Sequence, residues 1–173
     1  MPELIAPNVR LHDAWLEAHH EWGPGLHEDG FGIGAADDVR SPGGFAAWVA
    51  RLARQSDPAV TVEAGRHGCA YRWIVEDDRV LGGIALRYGD DEYVAWAGHV
   101  GYGIRPSARR RGLATWALGR MLEEAPTLGL ERVLAVCAVG NVASMTTIER
   151  CGGVFEGVRE TKSGPLRRYW FQL

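Results

Sequence analysis

The pattern of apolar and polar residues in the second half of the chain predicts an alternation of strands and helices. An apolar stripe at helical spacing runs from Leu113 to Ala125 and predicts an amphipathic helix. The run 133–139 is continuously apolar, which is typical of a strand covered on both faces. Residues 99–104 predict a strand whose ladder ends at Pro106, because proline has no amide donor. The other elements predicted here are a helix capped at Asn141 that runs to about Arg150 and strands near 154–161 and 166–173.

The first half of the chain predicts further strands and helices around a long loop. Residues 23–43 are rich in glycine, aspartate and proline and predict that loop. No internal repeat and no long linker divides the chain, so we expect one domain with a mixed α/β sheet covered on both faces. The elements predicted in this half are a strand at 4–10, helices at 11–22 and 45–52, and strands at 70–75 and 80–88.

Composition narrows the class of protein. With 173 residues, 46% of them hydrophobic, the chain can bury a substantial core. A formal charge of -3 argues against a general nucleic-acid binder, whose affinity comes from neutralising phosphates. Three widely spaced cysteines favour a reducing compartment without disulfides. Neither a signal peptide nor an apolar run of ~20 residues is evident, so we expect a cytoplasmic protein without a membrane span.

The segment from Arg109 to Thr115 carries the strongest functional signal. It joins the strand 99–104 to the helix that starts at Leu113, so it predicts a basic turn at a helix N-terminus. Unpaired backbone N–H groups and the positive end of the helix dipole meet there, which favours a phosphate. Gly112 lets that phosphate approach the main chain. The segment has neither the Gly-Lys-Ser/Thr ending of a P-loop nor the three spaced glycines of a dinucleotide site.

The spacing basic-x-x-Gly-x-Ala resembles the coenzyme A loop of the GNAT superfamily of N-acetyltransferases, with Arg109, Gly112 and Ala114 at the defining positions. Upstream, Gly-Tyr-Gly-Ile-Arg-Pro (101–106) resembles the fourth strand of that family. Downstream, residues 141–155 resemble its second cofactor motif. Three motifs in the right order make the resemblance specific.

The resemblance covers roughly residues 70–173 and implies a GNAT-like, mostly antiparallel sheet in a single domain. It implies an acetyl-CoA-binding core at 70–173, with acceptor-side helices and a loop at 1–60. Gly-His-Val-Gly-Tyr (98–102) together with Arg-Arg-Tyr-Trp (167–170) resembles a poorly characterised bacterial branch of these predicted acetyltransferases.

The resemblance also implies which residues hold acetyl-CoA. In the family, the fourth and fifth strands separate and leave a main-chain donor free to stabilise the oxyanion, here near Ile104. Asn141 is expected to contact the pantetheine arm, and Ser144 the arm or the leaving sulfur. The residues expected to bind the cofactor are Ile104, Arg109, Arg110, Arg111, Gly112, Leu113, Ala114, Thr115, Asn141 and Ser144.

The catalytic groups match the family less completely. Members often carry a glutamate base near the start of the fourth strand, where this chain has His99. His99 is equally compatible with a structural histidine bonded to a backbone carbonyl. Asp91 and Glu92 are fallback bases or a solvated acidic loop. Many members place a tyrosine acid seven residues after the asparagine, where this chain has Ile148. The candidate donors to the leaving thiolate are therefore Ser144, Tyr102, Tyr169 and water.

Two further groups of reactive residues favour structural interpretations. Cys137 lies in the strand beside the expected thioester, but no histidine near it in sequence would activate it, so a buried cysteine is favoured over an acyl-cysteine route. The histidines and acids near the first helix match no zinc spacing and predict no metal site; they are assigned to an acceptor-side surface. They are His19, His20, His27, Glu28 and Asp29.

The segments expected to wall the acceptor cleft favour a small cationic amine, through charge pairing and cation–π contact. Core tryptophans and solvated acids are the structural alternative. A peptide or protein amine is the second acceptor class. A non-catalytic acyl-CoA-binding module and a DNA-binding domain using Arg105 and 109–111 are the rival functions, and exposed strand edges are compatible with a homodimer. The residues behind the acceptor prediction are Trp15, Glu21, Trp22, Glu28, Asp29, Asp37, Asp38 and Trp48.

Overall fold

A computed structural model describes residues 1–23, 30–63, 68–89 and 91–173, and these residues form seven strands and six α-helices. The strands are β1 (Glu3–Ile5), β2 (Gly68–Glu76), β3 (Arg79–Tyr88), β4 (Val100–Ile104), β5 (Arg132–Ala138), β6 (Val154–Thr161) and β7 (Gly164–Gln172). The helices are α1 (His12–Trp22), α2 (Pro42–Gln55), α3 (Pro58–Glu63), α4 (Glu92–Ala97), α5 (Leu113–Glu124) and α6 (Val142–Arg150).

The strands form one sheet in the order β1-β2-β3-β4-β5-β7-β6. Every neighbouring pair is antiparallel except β4 and β5, which are parallel. Their register pairs Val100 with Ala135, and no later residues of the two strands pair with each other. Beyond this point β4 stays on β3 while β5 stays on β7. We call the resulting gap, between 101–104 of β4 and 136–138 of β5, the wedge.

The two faces of the sheet carry separate apolar cores. On the α5/α6 face, the side chains of Val100, Tyr102 and Ile104 join a core with α5, α6 and β5. On the α1/α2 face, the core is built from aromatic residues of α1, α2 and β2. Because side chains alternate along a strand, Gly101 and Gly103 of β4 face α1 and α2. A ligand on that side therefore meets bare backbone beside the wedge.

The predicted fold class is confirmed, but three predicted segments differ from the structure. The first strand stops at Ile5 and a 3-10 turn follows at Val9–Leu11, so the predicted strand at 4–10 is too long. Asp91 accepts a hydrogen bond from Val94 N–H at 2.8 Å and thereby caps α4, where an acidic loop was expected. The second of the two predicted N-terminal helices begins earlier, after the Ser41 cap.

Gly30 is a packing residue rather than a flexible loop glycine. Its φ is +89°, and a methyl group on it would lie 2.4 Å from the carbonyl oxygen of Gly83 in β3. Gly30 therefore lies directly on the sheet, with Phe31 beside it in the α1/α2 core. Within the described residues, no helix is long and apolar enough to cross a membrane.

Candidate active site

The turn between β4 and α5 has an unusual backbone. A 3-10 turn at Pro106–Ala108 is followed by Arg110 with φ +64° and Gly112 with φ +77°. Left-handed conformations are uncommon for residues other than glycine, so Arg110 is an exception. Two left-handed residues within three positions curl the main chain, which brings successive N–H groups together as in a backbone anion nest.

The N–H groups of this turn from Arg110 onward have no acceptor in the described protein. None of the backbone N–H groups from Arg110 to Thr115 donates to another described group, and the first helical bond of α5 runs from Trp116 to Gly112 at 2.9 Å. Leu113 is buried and anchors the helix start, whereas Arg110 and Gly112 are exposed. The positive end of α5 thus presents a row of solvent-facing donors.

The three consecutive arginines of the turn differ in their partners. Arg111 donates to Glu76 at 2.6 Å, and this hydrogen bond lowers the pKa of Glu76. Arg109 Nε donates to the carbonyl of Ile104 at 3.0 Å, which ties the turn to the end of β4. Arg110 is exposed and pairs with no carboxylate in the described chain. The turn therefore retains positive charge after its internal pairing.

The main chain of β4 faces the wedge at Ile104. Arg105 N–H donates to Leu81 in β3 at 2.8 Å, and successive residues of a strand direct their N–H and C=O groups to opposite edges. The N–H groups of Ile104 and Tyr102 therefore point away from β3, into the wedge. These are donors of the kind expected near the end of the fourth strand.

A hydroxyl pair crosses the wedge on the α5/α6 face. Tyr102 Oη in β4 lies 2.8 Å from Ser144 Oγ in α6. Asn141 fixes Ser144, since its Oδ1 accepts a hydrogen bond from Ser144 N–H at 3.0 Å as the cap of α6. Burial raises the pKa of Tyr102 to about 12, although the bond to Ser144 opposes the rise. Ile148, at the position where many family members carry a tyrosine, is buried in the core.

His99 lies at the closed end of the wedge, with 2% of its surface exposed. Its backbone N–H donates to Leu134 O at 2.8 Å, and its Nδ1 accepts from Leu134 N–H at 2.8 Å. A neutral imidazole that accepts at Nδ1 carries its proton on Nε2. The lone pair that a general base needs is therefore engaged with Leu134. The base role of His99 stays a prediction that this geometry does not favour; the structural alternative fits, with a backbone N–H as the partner instead of a carbonyl.

The other candidate acid and nucleophile are buried. Tyr169 is fully buried, and its hydroxyl donates to Glu149 at 3.0 Å. Burial raises the pKa of the Cys137 thiol, although Arg167 opposes the rise. A thiolate at Cys137 is thus disfavoured, in line with the structural interpretation of that residue.

The acceptor-side residues are mostly engaged inside the protein. Trp15, Trp22 and Trp48 are buried in the α1/α2 core, so they do not wall a cleft. Each described acid behind the cationic-amine prediction has an intramolecular partner: Glu21 bonds Arg105 at 2.6 Å, Asp37 pairs with Arg51, and Asp38 accepts from Ser41. Glu28, Asp29 and His27 lie outside the described residues, and the described residues contain no cluster of metal-ligating groups.

Arg105 is a structural cation rather than a surface one. Its side chain is 3% exposed and donates to Glu21 and, at 2.8 Å, to Glu17 of α1. Ser107 Oγ also donates to Glu21, at 2.9 Å. These bonds dock α1 on the turn after β4. This burial and pairing disfavour the DNA-binding role considered for Arg105.

The sequence patterns predicted no functional role for Arg87, but the structure places it beside the wedge. It is half-buried in β3, and its Nη2 would be 3.6 Å from a methyl group on Gly101. The alternation of side chains along the strand could have identified Arg87. Gly83, Ala85 and Arg87 share one face, and an arginine is unusual beside such small apolar residues.

Comparison with solved structures shows the same fold across almost the whole chain. The chain covers 92% of the microcin C7 self-immunity acetyltransferase MccE, solved with acetyl-CoA and AMP, at 15% identity, TM-score 0.69 and 99% coverage of this chain. RimL, a ribosomal alpha-N-protein acetyltransferase solved with coenzyme A, aligns at 16% identity and TM-score 0.69 over 99% of this chain and 94% of its own. An acetyltransferase of Salmonella typhimurium that modifies the N-terminal serine of a 50S ribosomal subunit protein aligns at 17% identity and TM-score 0.67 over 99% and 95%.

The family assignment comes from the sequence itself. No curated protein matches the chain. A family model described as an acetyltransferase (GNAT) domain matches residues 33–154, which is more than half of the chain. This match spans the β4–α5 turn, the wedge and α6. The chain therefore belongs to the GNAT family of acetyltransferases, acyltransferases that use acetyl-CoA as the donor.

Proposed function

We propose that this protein transfers the acetyl group of acetyl-CoA to a primary amine that approaches from the α1/α2 face. The observation that carries the proposal is the row of unpartnered N–H groups from Arg110 to Thr115 at the mouth of the wedge. It supports a diphosphate at that position, because the nest, the helix dipole and the charge of Arg109 and Arg110 all favour an anion. Acetyl-CoA supplies an acetyl group that is activated as a thioester.

In this proposal the wedge holds the extended arm of the cofactor. Asn141 and Ser144 line it from α6, and the main chain of β4 lines it from the other side. The N–H group of Ile104, and that of Tyr102, would donate to the carbonyl oxygen on which negative charge develops. Such donors are fixed before reaction, so they stabilise charge without reorganisation.

The Tyr102–Ser144 pair would serve the leaving group. When the amine nitrogen bonds to the carbonyl carbon and the carbon–sulfur bond breaks, sulfur takes the electron pair and needs a proton. Tyr102 retains its proton at neutral pH and can donate a hydrogen bond, through Ser144 or directly. The amine must lose a proton in the same reaction, and assignment of that step to His99 stays a prediction.

The acceptor class is open between a small amine and a peptide or protein N-terminus or lysine. The prediction of a small cationic amine rested on acidic residues, and those that the structure describes have partners within the protein. RimL and the Salmonella enzyme act on ribosomal proteins, which keeps a peptide amine in consideration for this chain. A homodimer also stays a prediction; β6 is an edge strand with Val154 and Phe155 exposed.

The test is release of free thiol from acetyl-CoA across a panel of small amines, peptides and aminoglycosides. Gly112→Glu places bulk and negative charge in the anion nest and should abolish release. Gly119→Glu is the matched control, because Gly119 lies on the same helix, and a Cβ there meets nothing within 4 Å. Release with one acceptor class that survives in the control and is lost in Gly112→Glu supports the proposal. Acetyl-CoA binding without release for any acceptor contradicts it.

A further inference from the structure

Arg87 places a cation on the side of β4 from which the acceptor would approach. It shares the α1/α2 face with Gly101, and its Nη1 donates to Gly98 O at 3.2 Å. A methyl group on Gly101 would lie 3.6 Å from Arg87 Nη2 and 3.9 Å from the backbone nitrogen of Gly30. The guanidinium and a backbone amide thus flank the same glycine at the edge of the wedge.

The Arg87 guanidinium has N–H groups that donate to no described acceptor. Among the described residues, no carboxylate pairs with Arg87, and Gly98 O is the acceptor of its side-chain hydrogen bond. The Arg87 guanidinium carbon lies 5.0 Å from the centre of the Tyr93 ring, a cation–π distance. Apart from the bond to Gly98 O, the guanidinium N–H groups have no oxygen acceptor in the described protein, and such groups can bind a carboxylate or phosphate side-on. Tyr93 is 53% exposed, so solvent reaches this position.

Two further arginines contact α4, the helix that begins with the acids Asp91 and Glu92. Arg159 of β6 donates to Ala95 O on α4, the helix that carries Tyr93, and no described carboxylate pairs with it. Arg168 of β7 donates to the same carbonyl, but it also bonds Glu156, which offsets its charge. Glu21 and Asp37 of the neighbouring α1–α2 region pair with Arg105 and Arg51. Arg87 and Arg159 are therefore two cations beside α4 that form no ion pair with a described carboxylate.

We propose that Arg87 binds an anionic group of the acceptor, so that the substrate is an amine that also carries a carboxylate or a phosphate. This inference rests on the proposed acetyl transfer and specifies its acceptor. An anion held beside Gly101 would place a nearby amine against the bare main chain of β4. It reverses the expectation of a purely cationic acceptor, which depended on acids that the fold uses internally.

The test compares matched acceptors that differ in the anionic group alone. One pair is an amino acid and its amide, and the other is phosphoethanolamine and ethanolamine, so that the two arms separate carboxylate from phosphate. Arg87→Gln removes the cation, and Arg87→Lys keeps a charge without the planar fork. Arg79→Gln is the control, because Arg79 lies at the far, exposed end of the same strand.

We expect the wild-type enzyme to prefer the anionic member of at least one pair by roughly tenfold or more in kcat/KM, as one charged hydrogen-bonded contact would give. Arg87→Gln should remove that preference through the KM of the acceptor. The KM of acetyl-CoA and the rate with neutral amines should stay unchanged, as in Arg79→Gln. A structural defect would instead lower the rate with charged and neutral acceptors alike.

Two outcomes overturn the inference, and they differ in what else they affect. Equal use of anionic and neutral amines by the wild-type enzyme, or an equal loss for both in Arg87→Gln, rejects the role of Arg87 and leaves acetyl transfer intact. An absence of thiol release with every amine rejects the proposed function and the inference with it. Melting temperatures of the Arg87 variants show whether a loss comes from unfolding.

Discussion

Tyr102 Oη of β4 lies 2.8 Å from Ser144 Oγ of α6, and this contact joins the two sides of the wedge. It is held from both ends, because Tyr102 is buried against the α5/α6 core and Ser144 is fixed by the Asn141 cap. The position that many family members fill with a tyrosine is Ile148 here, which packs in the core. In the proposed function, the phenol of Tyr102 on the facing strand takes the role of that tyrosine.

Tyr102→Phe should lower kcat by about 10- to 100-fold with little change in the KM of acetyl-CoA, since it removes a proton donor without removing a binding group. Ser144→Ala should have a similar effect, and the double variant should be little worse than either single one, because the two hydroxyls act as a unit. Tyr88→Phe is the matched control, as Tyr88 Oη donates to Gln55 O at 3.3 Å, at the end of α2. Additive losses would contradict a joint role.

The raised pKa of Tyr102 also makes a prediction about pH. Because burial places its pKa at about 12, the phenol stays protonated between pH 6 and 10. The alkaline side of the kcat profile should therefore have the same shape in the wild-type enzyme and in Tyr102→Phe. A fall of the wild-type rate above pH 9 that is absent from Tyr102→Phe would show that the phenol ionises earlier.

Gly112→Ala should weaken acetyl-CoA binding by a backbone effect. The φ of Gly112 is +77°, and a Cβ there meets nothing within 4 Å, so the substitution adds strain without a clash. A left-handed conformation destabilises an alanine by about 1–2 kcal/mol. A change of φ at this position would relieve the strain but would alter the geometry of the anion nest. The expected result is a KM for acetyl-CoA several-fold higher. Gly119→Ala, in the same helix, should leave the KM unchanged and stabilise the fold slightly.

His99 can be tested by separating its hydrogen-bonding and titrating properties. In His99→Asn the side-chain oxygen can still accept from Leu134 N–H, whereas His99→Leu leaves that buried donor unpaired at a cost of about 1–3 kcal/mol. If His99 is structural, His99→Asn should retain most of kcat and the wild-type pH profile, and His99→Leu should unfold at lower urea. A large loss of kcat in a stably folded His99→Asn would restore the general-base role.

The sequence was sufficient for the fold because its second half is strongly patterned. The apolar stripe of α5 and the continuous run of β5 predict elements of the right type and order, and the structure has them. The turn and helix start at Arg109–Thr115 were also predicted correctly, since both depend on local sequence features. The role of this segment as a cofactor site stays a prediction. The short helix α4 was missed because its six residues are too few to show helical periodicity.

The acceptor side was poorly predicted because its properties depend on long-range pairing. Trp15 and Trp48 become core only because α1 and α2 fold onto β2, and Glu21 is used because Arg105, far along the chain, folds against it. Sequence shows residue types but not which charges compensate one another across the fold. The position of Arg87 could not be predicted for the same reason, because only strand pairing and loop packing bring Gly101 and Gly30 beside it.

Glu21→Gln tests whether the buried Arg105 pair stabilises the protein through charge. Arg105 is 3% exposed and would keep only Glu17 as a charged partner, so we expect a loss of about 1–3 kcal/mol at neutral pH. Burial raises the pKa of Glu21, but hydrogen bonds from Ser107 and Arg105 outweigh it, and the net pKa is lowered; that of Glu17 is lowered by its hydrogen bond to Arg105. A lowered folded pKa stabilises the protein above about pH 4.3, the ordinary glutamate value, and this contribution disappears as the pH falls through the folded pKa.

The urea midpoints of the wild-type protein and of Glu21→Gln should therefore converge as the pH is lowered from 6 to 3. Glu123→Gln should match the wild-type protein at every pH, because Glu123 and its partner Arg120 are both exposed and such pairs contribute little. Since Glu21 also bonds Ser107 in the turn before the anion nest, Glu21→Gln should raise the KM of acetyl-CoA at neutral pH, unlike Glu123→Gln. A constant difference in midpoint from pH 6 to 3 would show that packing, and not the charge of Glu21, stabilises this contact.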